Sequence, residues 1–337
     1  MNNASAVILR NESDLRFPAL MMGLEDEALL PALKDQVDVL CTHSGLAASL
    51  ETRAGRVWFG YETLAQEGPR YGTVVIFMPK AQRELELRVA LARTLVASDG
   101  ELWLVGAKRE GINGGARRFK EQLDGAWKRD NARHCQLWSS RAEAQPPAFD
   151  MEYWYCLRPV ESHGERIQVA DFPGVFSEGR LDDGTDLLLG TFSDKPRGPV
   201  LDFACGAGVV GVWLLSRWPD LTLTLLDVQA QAVACAKRTL AANQAQAEVL
   251  ASDGLGGVHS QFGTIVTNPP FHEGIRTDTT ATERFIHDCA QHLVRGGSLR
   301  LVANRFLPYP DLIQKTLGPV TTLAENSRFC VYEAHKR

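Results

Sequence analysis

Short apolar runs and longer helical periods alternate along the second half of the chain. The apolar runs end in polar or glycine-rich segments, which is typical of buried parallel strands. The predicted strands cover residues 200–203, 221–226, 248–251, 262–267 and 298–303. Apolar residues recur at helical spacing in residues 209–216, 230–242, 281–294 and 310–316. This alternation predicts an α/β fold. Two last runs, 320–324 and 329–333, predict a closing hairpin.

The first half of the chain has a similar pattern. Residues 37–41, 56–60, 71–78 and 102–105 are predicted strands, and residues 27–33 and 84–96 are predicted helices. The run Tyr71-Gly-Thr-Val-Val-Ile-Phe-Met aligns with Phe262-Gly-Thr-Ile-Val-Thr-Asn-Pro, and a helix and a Gly-x-Leu-x-Leu-Val strand follow both. We interpret this likeness as an internal repeat of one supersecondary unit. Chance similarity between two strand–helix–strand units is the alternative.

The first copy lacks the polar features of the second. Phe77 stands where the second copy has Asn268, and the predicted first strand, 37–41, leads into Thr42-His-Ser-Gly-Leu46 without a glycine triplet. A loop at 142–148 and predicted strands at 151–157 and 166–170 separate the copies. We therefore predict a degenerate domain at 1–158 and a catalytic domain at 159–337.

A glycine turn follows the strand that begins at Val200. Gly206, Gly208 and Gly211 have Gly-x-Gly-x-x-Gly spacing, which lets the backbone turn sharply and approach a ligand. Asp227 ends the next strand, 21 residues after Gly206, where a carboxylate meets a ribose diol in nucleotide-binding sheets. The motif indicates an adenosine cofactor, and both NAD and S-adenosylmethionine fit it.

A second motif distinguishes these cofactors. The strand 262–267 ends in Asn268-Pro269-Pro270-Phe271. Two prolines cannot continue a strand, so the turn presents Asn268 at the carboxyl edge of the sheet, where open α/β folds bind ligands. NAD dehydrogenases have no use for such a turn.

Composition and charge exclude several classes of protein. The 337-residue chain is long enough for two domains, and its 45% hydrophobic and 23% charged residues are typical of globular proteins. We expect no membrane segment and no secretory signal. Seven scattered cysteines without a Cys-x-x-Cys pair favour reduced thiols in the cytoplasm, and the eight histidines form no metal-binding pattern.

One basic segment stands out against this background. Residues 101–141 carry a net charge of +4, against −5 for the whole chain. We take Gly111 to Gly115 as a mobile loop within this segment. A solvated face and a phosphate-contacting RNA surface are both compatible with such a charge run. The RNA interpretation assigns contacts to Arg109, Arg117, Arg118 and Lys120.

The glycine turn and Asn-Pro-Pro-Phe together resemble the class I S-adenosylmethionine-dependent methyltransferases. In that family this proline turn marks enzymes that methylate a planar nitrogen. The arrangement is similar to the RsmC family of 16S ribosomal RNA (guanine-N2)-methyltransferases. The likeness rests on Pro173-Gly-Val-Phe-Ser177, Leu181-Asp-Asp-Gly-Thr185, Asn268-Pro-Pro-Phe-His272 and the duplicated first half.

The resemblance implies a fold, a cofactor and a substrate. It implies two tandem Rossmann-like class I methyltransferase domains, the second with a seven-stranded sheet ending in an antiparallel hairpin. The cofactor would be S-adenosyl-L-methionine. The substrate would be 16S ribosomal RNA within the small ribosomal subunit, methylated by a monomeric cytoplasmic enzyme.

The resemblance also assigns roles to residues. The catalytic turn would consist of Asn268, Pro269, Pro270 and Phe271. The cofactor would meet Asp202, Ala204, Gly206, Gly208, Asp227, Asp253 and Thr185. Ala204 stands where many relatives carry glycine or another small residue. Thr185 or Asp183 is expected to cap a helix that carries Leu187 to Leu189. In the family that segment closes over the cofactor, whereas on sequence alone it could equally be a helix packed on the sheet.

Three rival functions are open at this point. A 23S ribosomal RNA guanine-N2 methyltransferase would share the turn and the duplicated plan. A protein glutamine-N5 methyltransferase would act on another planar nitrogen, although such relatives favour tyrosine at the position of Phe271. A non-enzymatic RNA-binding protein with a dead methyltransferase fold would have lost Asp202, Gly206 or Asn268, and all three are present.

Overall fold

Two compact units, Met1–Tyr155 and Cys156–Arg337, make up the chain. The computed structural model describes residues 1–33, 37–176, 180–269 and 280–337. Within these ranges each unit contains one seven-stranded sheet, and the second unit adds a two-stranded sheet.

The first unit alternates strands and helices around its sheet. Its helices are α1 (Asn3–Arg10), α2 (Ser44–Leu50), α3 (Tyr61–Glu67), α4 (Gln82–Leu95) and α5 (Ile112–Gln122). Its strands are β1 (Ala19–Met22), β2 (Asp38–Cys41), β3 (Val57–Phe59), β4 (Tyr71–Phe77), β5 (Val96–Ala107), β6 (Trp127–Ala132) and β7 (Cys135–Arg141). The strand order is β3-β2-β1-β4-β5-β7-β6, with five parallel strands and an antiparallel hairpin at one end.

The second unit repeats this plan after the antiparallel pair β8 (Cys156–Ser162) and β9 (Glu165–Asp171). Its other strands are β10 (Val200–Phe203), β11 (Leu223–Asp227), β12 (Glu248–Ala251), β13 (Phe262–Thr267), β14 (Leu293–Asn304), β15 (Val320–Glu325) and β16 (Phe329–His335). Its helices are α6 (Asp183–Leu189), α7 (Val209–Arg217), α8 (Ala230–Ala242), α9 (Thr280–His292) and α10 (Tyr309–Thr316). The order β12-β11-β10-β13-β14-β16-β15 matches that of the first sheet position by position.

The matching strand orders confirm the predicted tandem α/β fold and the closing hairpin. They also correct one alignment within the repeat. The structural counterpart of Val200–Phe203 is Ala19–Met22, whereas Asp38–Cys41 occupies the second-strand position. The sequence Ala-Leu-Met-Met was missed because it contains no β-branched residue, and four buried apolar residues fit a helix as well as a strand.

The predicted loop at Gly111 to Gly115 is wrong. Gly111 is the N-cap of α5, and Ile112, Ala116 and Phe119 are buried along one face of that helix. Gly115 packs so closely on β4 and its turn that a Cβ there would lie 2.6 Å from Met78 Sδ. Burial of this apolar face outweighs the low helix propensity of paired glycines.

One further prediction is wrong, and one hairpin was not predicted. Residues 151–157 were expected to form a strand, but Glu152–Trp154 form a 3₁₀ turn and the strand begins only at Cys156. The β6–β7 hairpin was not predicted, because polar residues fill most of Trp127–Ala132.

Candidate active site

The glycine turn lies between β10 and α7 at the carboxyl edge of the second sheet. Gly206 has φ +54° and Gly208 has φ +83°, both in the left-handed region that glycine adopts without steric cost. A Cβ on Gly206 would meet nothing within 4 Å, so the space above this residue is open. A Cβ on Gly211 would lie 2.9 Å from Leu223 Cδ2, so this glycine lets α7 pack closely on the sheet.

Ala204 also has a left-handed backbone, with φ +56°. An L-residue with a Cβ adopts this region at a cost of about 1–2 kcal/mol. The structure thus gives a physical reason to expect glycine at this position.

Two carboxylates hold the backbone of the turn. Asp202 Oδ2 accepts a hydrogen bond of 2.9 Å from the backbone N–H of Gly211. Asp227 Oδ2 accepts one of 2.8 Å from Gly206 N–H, and its Oδ1 accepts one of 2.9 Å from Gln229 N–H. The second-strand carboxylate therefore lies directly beside the glycine turn.

Burial makes the carboxyl group of Asp202 a weaker acid than usual. Its side chain has lost contact with water, and this desolvation raises the pKa of the carboxyl to about 7. The nearby negative charge of Asp227 acts in the same direction, whereas the hydrogen bond from Gly211 lowers the pKa.

Asn268 follows β13 directly, next to the end of β10, since Phe203 pairs with Thr267 in the sheet. Its Nδ2 donates to Asp182 Oδ2 over 2.9 Å and to Thr185 Oγ1 over 2.8 Å. Both hydrogens of the carboxamide are therefore used within the second unit. Pro269, the next residue, is buried, whereas Pro270 and Phe271 lie outside the described residues.

The helix cap differs from the two candidates taken from the sequence. Asp182, and neither Thr185 nor Asp183, is the N-cap of α6, because its side chain accepts a hydrogen bond of 3.0 Å from Thr185 N–H. Sequence reasoning missed this residue, although an aspartate just before a leucine-rich helix is an N-cap signal. The hydroxyl of Thr185, predicted to meet the cofactor, contacts Asn268.

Asp253 lies after β12, and its carboxylate has a cationic partner. Arg284 Nη2 of α9 donates to Asp253 Oδ1 over 2.7 Å, and both side chains are about half exposed. No sequence signal pointed to Arg284. Any ligand group that uses the Asp253 carboxylate has to share it with this guanidinium.

The basic residues predicted for RNA have different surroundings in the first unit. Arg109, Arg117 and Lys120 are exposed, although Arg117 lies 3.8 Å from Glu121. Arg118 is partly buried and pairs with Glu86 at 2.9 Å, so its charge is neutralised internally. Exposed Arg133 was not singled out from the sequence. It lies near Arg109, since the neighbouring residues Lys108 and His134 are joined by a backbone hydrogen bond.

Membrane spans and metal sites are two further features to consider in the described ranges. No helix there is both long and apolar enough to cross a membrane. No cluster of three or more histidine, cysteine, aspartate or glutamate side chains that could hold a metal ion occurs in these ranges either.

The chain matches two known domain families and is similar to known proteins over its full length. The methyltransferase small domain matches residues 166–333, and the methyltransferase small domain N-terminal matches residues 5–156. The ribosomal RNA small subunit methyltransferase C of Pseudomonas aeruginosa is 44% identical over 342 residues, covering all of both chains. The protein of the same name from Hahella chejuensis is 37% identical, covering 99% of this chain and 98% of the relative.

The chain belongs to the ribosomal RNA small subunit methyltransferase C family. The predicted family and the predicted methyltransferase activity are both confirmed. A solved structure is also similar over 98% of this chain and 92% of its own, with a TM-score of 0.85 and 22% identity. It is the T. thermophilus 16S rRNA N2 G1207 methyltransferase in complex with AdoMet and guanosine. At that identity the likeness supports the fold of both units.

Proposed function

We propose that this member of the family transfers a methyl group from S-adenosyl-L-methionine to the exocyclic N2 of a guanine in 16S ribosomal RNA. The observation that carries the proposal is the position of the Asn268 carboxamide, held beside the glycine turn at the carboxyl edge of the second sheet. The names of the full-length relatives support the same substrate class. We further propose that the enzyme acts as a cytoplasmic monomer on the small ribosomal subunit.

The cofactor fits the glycine turn of the second unit. The open space above Gly206 leaves room for a ligand that approaches the backbone closely. Asp227 supplies carboxylate oxygens at the strand end, where a ribose diol can donate to them. The other proposed cofactor contacts are Asp202 and Gly208, which fix the turn, Ala204, which precedes it, Thr185, which contacts Asn268, and Asp253, which follows the neighbouring strand β12. Bound S-adenosylmethionine supplies a methyl group on a positively charged sulfur.

Asn268 and Pro269 act on the substrate amine. The lone pair of guanine N2 is delocalised into the ring, so the amine is a weak nucleophile. The Asn268 Oδ1 and the Pro269 carbonyl oxygen accept its two hydrogens and favour a tetrahedral nitrogen with an available lone pair. Positioning of this kind contributes roughly 7–11 kcal/mol in well-oriented reactions. No strong base is required, because the proton leaves after the nitrogen has become positively charged.

The target guanine has to leave its stack to reach this edge. We propose that Phe271 stacks on the flipped base, a contact that contributes about 1–3 kcal/mol. The first unit, which has no counterpart of Asn268, serves RNA binding and support. The exposed Arg109, Arg117 and Lys120 are its phosphate contacts, and Arg133 extends the same basic edge.

The test is methylation with labelled S-adenosylmethionine of four separate substrates: small subunits, large subunits, free 16S RNA and protein release factors. Nucleoside analysis should find N2-methylguanosine in 16S RNA, with small subunits preferred over free RNA. Label in large-subunit RNA or on glutamine would refute the substrate assignment.

A further inference from the structure

The orientation of the Asn268 carboxamide is imposed by a neighbour outside the proline turn. A carboxylate accepts hydrogen bonds and donates none. The Oδ2 of Asp182, 2.9 Å from the Asn268 amide, therefore requires the NH2 group to face α6. The opposite orientation would set an amide oxygen against a negative charge. The second hydrogen of that NH2 group is bound by Thr185 Oγ1 at 2.8 Å.

We infer that Asp182 is a positioning residue for methyl transfer, which turns the Asn268 oxygen toward the substrate amine. The inference rests on the proposed function of Asn268 and adds the residue that makes its oxygen the presented group. Without Asp182, a carboxamide flip would place two N–H donors opposite a substrate that also donates.

Asp182 is itself held in place. It is the N-cap of α6, and the same Oδ2 that binds Asn268 accepts the hydrogen bond from Thr185 N–H at 3.0 Å. Leu188 and Leu189 of this helix are buried, which anchors α6 in the second unit. A Cβ on Gly184 would come within 3.0 Å of the Asp182 carboxylate. The carboxylate therefore lies close to the backbone of Gly184, in space that a side chain at this position would obstruct.

The contact also affects the acceptor strength of the amide oxygen. Hydrogen bonds in a chain polarise one another, so an N–H donated to a carboxylate increases the negative charge on the carbonyl oxygen of the same amide. Both the orientation and the polarisation are lost together when the carboxylate is removed. Small misplacements of reacting groups cost up to about 100-fold in rate, so we expect a loss of roughly 10- to 100-fold.

Two substitutions of Asp182 separate capping from positioning. Serine caps helices about as well as aspartate but is too short to reach Asn268, whereas asparagine retains both the cap and an acceptor oxygen at the same reach. Asp182→Ser should lower the turnover number by roughly 10- to 100-fold, with unchanged affinity for S-adenosylhomocysteine and an unchanged KM for small subunits. Asp182→Asn should recover most of the activity. Equal losses in both variants, or an effect confined to KM, would overturn the inference.

A double-mutant comparison tests the route through Asn268. In an Asn268→Ala background, Asp182→Ser should cause no further loss of turnover, because the group it orients is gone. A full additional loss in that background would show that Asp182 acts otherwise. If the single variant Asp182→Ser is fully active while the single variant Asn268→Ala is impaired, the positioning role of Asp182 is overturned but the proposed function of Asn268 is not. Normal turnover of Asn268→Ala would instead refute the proposed function of Asn268 itself.

Discussion

The carboxyl edges of the two equivalent sheets are lined by different kinds of side chain. In the first unit, at the ends of β1 and β4, Arg88 of α4 donates to Phe77 O over 2.8 Å and contacts Met22 O at 3.5 Å. Its remaining donors bind Glu84 and Tyr61, and all three side chains are buried. The polar groups of this edge therefore satisfy one another.

The second unit has apolar packing where the first has this cluster. Arg88 lies eight residues before β5, and Phe285 lies eight residues before the equivalent strand β14. Phe285 stacks on Phe203 with ring centroids 3.9 Å apart, so α9 contributes no charge at that position. The carboxyl edge of the first sheet is therefore filled by its own buried polar cluster, whereas the second leaves open space above Gly206.

The largest effect is expected from removing the buried arginine of the first unit. Arg88→Met leaves Glu84 without its buried cation, which costs about 3–5 kcal/mol of unfolding free energy. Denaturant unfolding, with hydrogen exchange to locate the change in residues 1–155, measures it. Arg117→Met is the matched control, since its exposed pair with Glu121 contributes at most about 1 kcal/mol. Equal stability of the two variants would show that the cluster does not hold this edge together.

The next effect concerns the equivalent edge of the second unit. Asn268→Ala removes one preorganised acceptor, so turnover on small subunits should fall about 100- to 1000-fold, roughly 2.7–4 kcal/mol. Cofactor affinity and thermal stability should be unchanged. Asn268→Asp should keep some activity, because an acceptor of the same shape remains. Near-normal turnover of the alanine variant would mean that another group positions the amine.

The raised pKa of Asp202 predicts a pH-dependent stability of the cofactor-free enzyme. Folding raises this pKa from 3.8 to about 7. The stability that the group contributes is therefore fully present below pH 4 and is lost as the pH rises through 7. Asparagine at this position cannot ionise. Between pH 5 and pH 8 the wild type should therefore lose at least about 1 kcal/mol more unfolding free energy than the Asp202→Asn variant. Parallel stability curves of the two proteins would contradict this.

The smallest effect concerns RNA binding by the exposed arginines at the carboxyl edge of the first sheet. Arg109→Glu combined with Arg133→Glu should weaken RNA binding at low salt and reduce the salt slope by about 2. Arg70→Glu, an exposed arginine just before β4 at the opposite edge of the same sheet, is the control. If both variants bind RNA as the wild type does, the charge run is a solvated face.

The sequence predicted the second unit in detail and the first unit only in outline. Ala230–Ala242 and Glu248–Ala251 have the predicted bounds, because their patterns are regular and their ends are marked by polar residues. The first strand of the first unit and helix α5 were missed, since buried contacts decide their structure against weak local preferences. The proline turn predicted where Asn268 lies, but its partner Asp182 stands 86 residues away in sequence. This contact depends on how α6 packs against β14 and β16, which no local sequence pattern shows.

Calorimetric titration with S-adenosylhomocysteine tests the contrast between the two edges most directly. We expect one binding site per chain, with affinity strongly weakened by Asp227→Ala, which removes the carboxylate beside the glycine turn of the second unit. Arg88→Met, at temperatures where it remains folded, should leave this site unchanged. Two sites per chain, or unchanged affinity in a folded Asp227→Ala variant, would contradict it.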